Sequence, residues 1–535
     1  MRTAQLVTAV FTLVCAFCAH AASPPPAQAY GRLPAIQDVA LSPDGKRVVI
    51  SVGYEYRAAE PDRELTSLSI INIDTGQVEK TLAPPPANSL RGVGWADDKR
   101  PYYFISSTGH VGDIIPASMG GGLFRGARVE YWRTGVLSLE TGTSTLLMQD
   151  SNTRGNFALT NLQVPIEADP GFGRMIAWGG AITMNNMAKL SVYRVNLDTG
   201  RGSAVEVGAM QTRGFMLDEK GATIARVDIN EDKNRWRLYT YENGKDRMVL
   251  EKISEMGLPL SMYGLFEDGR IAAVDPHEEG KRNVLLAIDR KTGESTPVAG
   301  LQDTNGSDVV PLGDPWRRRV VGAQWTDDLP KQQFFDAELA KIAAALQEPF
   351  KDGFALLESW SRDRKRVLVF GEHATDAGAY YIYEPESKRL RMLGKRYPQV
   401  TAQEHLGDRQ SIKYRARDGK QIPAYLTLPV GVEPKNLPLV LLVHGGPHAR
   451  DDFTFNWWAS FLASRGYAVL QVNYRGSTGY GYEWFDAGRK GWGDGVMQTD
   501  VEDGANALVK SGFADAKHIC IMGGSYGGYA ALAGA

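Results

Sequence analysis

Near the end of the chain, Gly523-Gly524-Ser525-Tyr526-Gly527 fits the pattern G-x-S-x-G. That pattern describes a tight turn that lifts a serine hydroxyl off the end of a strand. A serine hydroxyl attacks a carbonyl usefully only when a histidine takes its proton, and a third group must orient that histidine. The apolar run Ile519 to Met522 precedes the motif, and a small-residue stretch suited to a helix follows it. This strand–turn–helix context separates a nucleophile turn from a chance match. Ser525 is therefore the candidate nucleophile.

Acyl transfer also needs two donors for the oxyanion that forms on the attacked carbonyl. The backbone N–H of Tyr526, directly after the serine, is one candidate. The second is expected from the loop after the apolar stretch of "LPLVLLVHGGPHAR", where Gly445 and Gly446 free the backbone for close approach. Gly446 is the first choice of the two. His444 and His448 lie in the same loop and are read as orienting it, because in folds built around this turn the base follows the serine and the acid in chain order. The remaining histidines after the first 21 residues (His110, His277, His373, His405 and His518) fall elsewhere, and none is assigned as the base. Residues 526–535 contain no His, Asp or Glu. The expectation is that acid and base belong to a longer gene product, and that these 535 residues alone are catalytically inactive. Glu278-Glu279 could capture a substrate amino group, but between Pro276 and Gly280 the pair reads as a solvated turn. No cluster has metal-ligand spacing and no phosphate-binding loop matches, so neither a metal nor a cofactor is expected.

The elements that must hold Ser525 begin near His405. "SIKYRARDGKQIPAYLTLP" predicts a hairpin around Asp418-Gly419. "LPLVLLV" and "AVLQVNY" read as strands buried on both faces, and "FNWWASFLASRGY" and "DVEDGANALVKSG" as helices stopped by Gly466 and Gly512. Alternating strands and helices build a doubly wound sheet whose chemistry sits at the carboxyl ends of its strands. Cys520, in the strand before the serine turn, is expected to be covered on both sides and inert in the full-length product, while in these 535 residues an open sheet edge could leave it reactive.

From Tyr30 to about Gln403 the chain repeats a different pattern. Turns such as Ser42-Pro43-Asp44-Gly45 lead into β-rich runs. They alternate with hairpins such as "LSIINIDTGQ", "LSVYRVNLDTGR" and "LLAIDRKTGE", whose Gly residues supply the left-handed turn conformation. The repeat distance of about 45 to 65 residues is that of a four-stranded propeller blade. Between Gly293 and Pro385 the hairpin signal lapses, and "FFDAELAKIAAALQEPF" places Leu339, Ile342, Ala343 and Leu346 on one helical face. This reads as a blade with a helical insertion and favours a count of seven, with six and eight as the alternatives. The many Trp and Tyr residues of the region are assigned to packing between blades.

Net charge is −2 and the hydrophobic fraction 43%, so nothing points to a nucleic-acid partner. Arg2, an apolar stretch from Leu6 to Ala19, and Ala19-His20-Ala21 form an export signal, too short to span a membrane comfortably. Its removal takes Cys15 and Cys18, leaves Cys520 as the single thiol, and leaves no integral membrane span. The expected location is the periplasm or outside the cell.

"LVHGGP", "VNYRGSTGYG" and "GGSYGGYAAL", in this order behind a propeller, resemble the prolyl oligopeptidase family of serine peptidases, above all its acylaminoacyl-peptidase and dipeptidyl-aminopeptidase-like bacterial members. The resemblance implies hydrolysis of short peptides through an acyl-enzyme on Ser525, with the propeller limiting access. It also implies oxyanion donors from Tyr526 and from His444-Gly445-Gly446-Pro447. The expected organisation is a signal peptide over 1–21, a linker over 22–30, a β-propeller over 31–403, and an α/β-hydrolase domain over 404–535 that stops after the nucleophile turn. An esterase on the same fold and an inert, peptide-binding propeller protein are the alternatives.

Overall fold

The computed structural model describes residues 24–534 apart from 56–63, 85–87, 111–127, 150–157, 160, 165, 180–188, 231–234, 254–259, 276–283, 302–307, 401–404 and 490. The signal-like start, with Cys15 and Cys18, lies outside these residues, as do His277 and the Glu278-Glu279 pair.

Seven blades run over 36–82, 88–146, 162–207, 212–253, 261–297, 310–334 and 353–395. Among the described residues each is an antiparallel set of four strands except the second, which gains the short parallel strand Ala158–Leu159, and the sixth, joined to the fifth by a parallel pairing of Leu265 with Arg319. The sixth has three and is followed by the helix Ala337–Ala345, whose Leu339 and Ile342 are buried as the sequence predicts. The first strands of blades 1 and 2, 4 and 5, 5 and 6, and 7 and 1 touch one another, while outer strands such as Val78–Leu82 face solvent. Every blade alternates apolar residues onto both faces, so each seam between blades fills with its own apolar cluster. Leu68 of blade 1 packs with Trp95 and Ile105 of blade 2, and the series continues around the ring. Leu368 and Ile382 of blade 7 meet Ile36, Val48 and Ile50 of blade 1 and close it.

The turn signals hold at atomic level. In Ser42-Pro43-Asp44-Gly45 the Ser42 hydroxyl bonds Asp44 at 2.7 Å, and Gly45 takes φ +71°. The matching turn in blade 7 puts Arg364 at φ +57°. A non-glycine residue is strained there. Arg364 is held by Asp314, Asp336 and Glu338 at 3.1, 2.8 and 2.9 Å, ion pairs that offset the strain.

The second region is a five-stranded sheet. Its strands are β1 (Asp408–Arg415), β2 (Gln421–Leu428), β3 (Leu437–Val443), β4 (Ala468–Val472) and β5 (Ala514–Gly523), in the order β1-β2-β4-β3-β5. The first two joins are antiparallel and the last two parallel. Helices α1 (Trp457–Ala463), α2 (Tyr482–Arg489), α3 (Val496–Lys510) and α4 (Tyr526–Ala533) complete it. Asn456 caps α1 by accepting from the backbone N–H of Trp458 and Ala459.

Two features qualify the expectations. Residues 27–31, expected within a linker and its junction with the propeller, form a helical turn docked on the hydrolase region. Tyr30 is 2% exposed and donates its hydroxyl proton to the His405 carbonyl at 2.8 Å. Cys520, expected to be covered in the full-length product, is exposed in these 535 residues. The reason is position: β5 is the edge strand, paired among the described residues with β3 alone, so an apolar strand sequence does not bring cover on both sides.

Candidate active site

Strands β3 and β5 lie parallel and in register, with Val443 opposite Gly523. Their carboxyl ends therefore finish side by side, and the two loops that carry the candidate residues leave from adjacent points. Ser525 sits between β5 and α4 at φ +55°, ψ −120°, the strained conformation that aims a side chain out of a strand–helix turn. The flanking glycines are required by space. A Cβ on Gly527 would lie 3.0 Å from the Val443 carbonyl carbon and closer still to its oxygen. One on Gly523 would overlap the same oxygen and come within 2.7 Å of the Gly527 Cα. The motif's two outer glycines thus let α4 start directly against the end of β3.

Tyr526 is the first residue of α4, where a backbone N–H has no acceptor within the helix and remains available to an anion. The opposing loop reaches the serine through Gly445, whose Cβ would stand 3.1 Å from the Gly524 carbonyl and 3.4 Å from the Ser525 Cβ. The sequence favours Gly446. In the structure Gly446 faces its own loop, at φ +122° with a hypothetical Cβ 2.6 Å from the His448 nitrogen. The close approach is Gly445's.

The histidines are engaged elsewhere. His444 pairs through Nε2 with the Ser477 hydroxyl at 2.9 Å, donates from Nδ1 to the Gly445 carbonyl at 2.8 Å, and stacks on Tyr474. Burial pushes its pKa down to about 4, so the ring is neutral and serves as a brace for the loop. His448 donates from Nδ1 to the Gly476 carbonyl at 2.9 Å and packs on Phe485. His373 pairs with Asp352 in blade 7, and His518 with Asp515 on β5. Among the described residues, no histidine ring hydrogen-bonds Ser525.

The sequence reading passed over the aromatic residues behind the turn. Tyr474, fully buried, donates to the His444 carbonyl at 3.1 Å and packs on Tyr526, which Trp492 meets edge-on. Tyr474 and Ser477 both belong to "VNYRGSTGYG", so that segment braces the His444 loop from behind.

A sequence model described as the prolyl oligopeptidase family matches residues 453–535. Dipeptidyl aminopeptidase BIII of Pseudoxanthomonas mexicana is 32% identical over 358 residues, which is 64% of this chain and 50% of that protein. The chain thus spans about half the length of this curated relative and smaller shares of others. Among solved structures, a puromycin-hydrolyzing peptidase of Mycobacterium tuberculosis superposes with a TM-score of 0.63 at 15% identity, covering 96% of this chain and 77% of that one. The acylaminoacyl peptidase of Pyrococcus horikoshii gives 0.61 at 16% identity, over 94% and 75%. These two likenesses speak for the fold, a propeller followed by a hydrolase sheet. The segment that holds the serine turn, residues 453–535, is thus similar to the prolyl oligopeptidase family of serine peptidases, and the fold around it is that of these two structures.

Proposed function

We propose that this chain carries the propeller, the nucleophile and the oxyanion donors of a peptidase that cleaves short peptides through an acyl-enzyme on Ser525. The observation that carries the reading is the strained Ser525 at the junction of β5 and α4, with Gly445 packed against it. A substrate carbonyl over Ser525 would take the N–H of Tyr526 and a donor of the Gly445-Gly446 turn. Peptide substrates agree with the family and with the aminopeptidase named above. The described residues offer Ser525 no histidine partner, so the 535 residues alone are proposed to be inactive, the base coming from elsewhere in the gene product. The same observation favours the second reading, an inert protein that binds peptides through its propeller. Export to the periplasm or beyond is also proposed, on the Arg2-led apolar start and the small residues of Ala19-His20-Ala21. Among the described residues no helix is long and apolar enough to cross a membrane.

The test compares the 535-residue chain with the polypeptide encoded by the complete gene. The latter should react with a fluorophosphonate probe at Ser525 and hydrolyse dipeptidyl or acyl-amino-acid anilides, and Ser525→Ala should abolish both. The 535-residue chain should do neither. Robust turnover by the chain itself would overturn the assignment of His444 and His448 as braces. A complete gene product without turnover would support the inert reading.

A further inference from the structure

The loop that brings Gly445 to Ser525 ends at Arg450, and Arg450 leaves the hydrolase region altogether. Its Nη1 donates to the Thr326 carbonyl at 2.9 Å and its Nη2 to the Asp327 carbonyl at 2.6 Å, both in the turn between the second and third strands of blade 6. The other contacts of the guanidinium are inside the hydrolase region. Nη2 donates to the hydroxyls of Tyr480 and Tyr425 at 3.1 and 3.3 Å, Nε to the Asp451 carbonyl at 3.2 Å, and the plane lies 4.6 Å from the Tyr480 ring centre. The seat is shaped for this group. A Cβ on Gly479, at φ +81°, would stand 2.5 Å from Nη1.

We propose that Arg450 is a positioning residue that ties the oxyanion loop to blade 6, so that the turn at Gly445 keeps its form only while the propeller is seated. The proposal rests on the reading of Ser525 as the nucleophile. A guanidinium suits the task because its donors form a rigid planar fork, able to bond two successive carbonyls and still lie on an aromatic ring. A lysine ammonium presents its donors from one point and makes only part of this set. The propeller turn is held from the other side as well: the Phe453 N–H donates to the Asp328 carbonyl at 2.7 Å and the Tyr425 hydroxyl to the Asp328 carboxylate at 2.8 Å. Directly before Arg450, Ala449 accepts from the Thr478 N–H at 2.9 Å while its own N–H donates to the Pro447 carbonyl. A shift of Arg450 therefore passes through two or three bonds to the turn that faces the serine. The segment "VNYRGSTGYG" gains a second task, since its Gly479 and Tyr480 form the seat of Arg450.

Amide hydrogen exchange on the 535-residue chain tests the tether directly. Arg450→Met should speed exchange at Ala449 and Thr478 about tenfold or more, as expected for loss of charge-assisted bonds, and leave the amides within β3 unchanged. Gly479→Ala, which pushes on the guanidinium without removing it, should act in the same direction, and Arg450→Lys should restore part of the protection. On the polypeptide of the complete gene, Arg450→Met should lower the limiting rate of fluorophosphonate labelling at Ser525 with the half-saturating concentration unchanged, and Arg450→Lys should recover part of that rate. Unchanged exchange at Ala449 in both Arg450→Met and Gly479→Ala overturns the proposal, as does a loss spread evenly over the whole hydrolase sheet. The two readings separate cleanly. If wild-type Ser525 never labels, the nucleophile assignment fails and exchange alone judges the tether. If Ser525 labels and exchange does not move, the tether fails and the nucleophile stands.

Discussion

Gly527 and Gly528 are neighbours in α4, yet the structure sets them far apart in cost. A methyl on Gly527 would be driven into the backbone carbonyl of Val443, 3.0 Å from the carbon and nearer to the oxygen. A methyl on Gly528 would meet only the Gly523 carbonyl, at 3.4 Å, an ordinary contact. Relief at Gly527 requires backbone to move, either the start of α4 or the end of β3, both fixed by the parallel pairing of β3 and β5. Overpacking against backbone sits at the upper end of the usual range, about 3 kcal/mol. Gly528→Ala should instead gain up to about 1 kcal/mol from helix propensity. The two variants should differ by roughly 4 kcal/mol, or about 10 °C in the melting of the hydrolase region at the few degrees per kcal/mol usual for a domain of this size. Thermal unfolding followed through tryptophan fluorescence, with both variants measured beside the wild type, provides the comparison. Equal melting of Gly527→Ala and Gly528→Ala would refute the claim that the motif's second outer glycine is set by the approach of β3.

Cys520 on the edge strand should react with a maleimide in the native chain at nearly the rate of a free thiol, and strong protection would show that β5 is not an edge. Glu372, buried between blade 7 and the hydrolase region, bonds Arg409 at 3.0 Å and the Phe455 N–H at 2.7 Å, with Asp376 nearby. Burial, only partly offset by Arg409, pushes its carboxyl up to about 7. The folded state then holds this proton more tightly than the unfolded chain. The stabilising contribution is full below about 4.5 and is lost as pH rises to about 7, an order of 3 kcal/mol. Melting midpoints measured between pH 5 and 8 should fall in the wild type and flatten in Glu372→Gln, and parallel profiles would contradict this. Arg364→Ala should cost about 3–5 kcal/mol by leaving the buried Asp314 carboxylate without its cation, and urea unfolding that matches the wild type would count against it.

The sequence was legible where a local rule dictates the backbone. The turn at Ser42-Pro43-Asp44-Gly45, the helix after blade 6 and the strained Ser525 follow from residue types within a few positions of one another. The close packing of Gly445 on the serine turn depends on how the loop folds on itself, which no spacing reveals. Cys520 shows the same limit. An apolar strand records that a strand forms, but its exposure depends on what pairs with its far side. Arg450 was invisible for a further reason: its partners are the backbone carbonyls of Thr326 and Asp327, more than a hundred residues earlier, and a carbonyl leaves no mark on the residue type that bears it.

The ring's seam lies between blades 7 and 1, where two stretches of chain meet with no strand shared between them. The hydrolase region is fastened on both banks of that seam. Before blade 1 it holds Tyr30 through the His405 carbonyl and Pro25 through Arg465, and on blade 7 it holds Glu372 through Arg409. It therefore works as a clasp. Parting the seam strips at least one bank from the hydrolase region, and undocking the hydrolase region leaves the seam to its apolar cluster and the bonds that cross it directly, such as those from Arg366 to the Gly45 carbonyl and from Arg391 to the Ile73 carbonyl. The propeller's resistance to opening is in this way a property of the whole chain and not of its blades alone, and a propeller expressed by itself should loosen at this seam first.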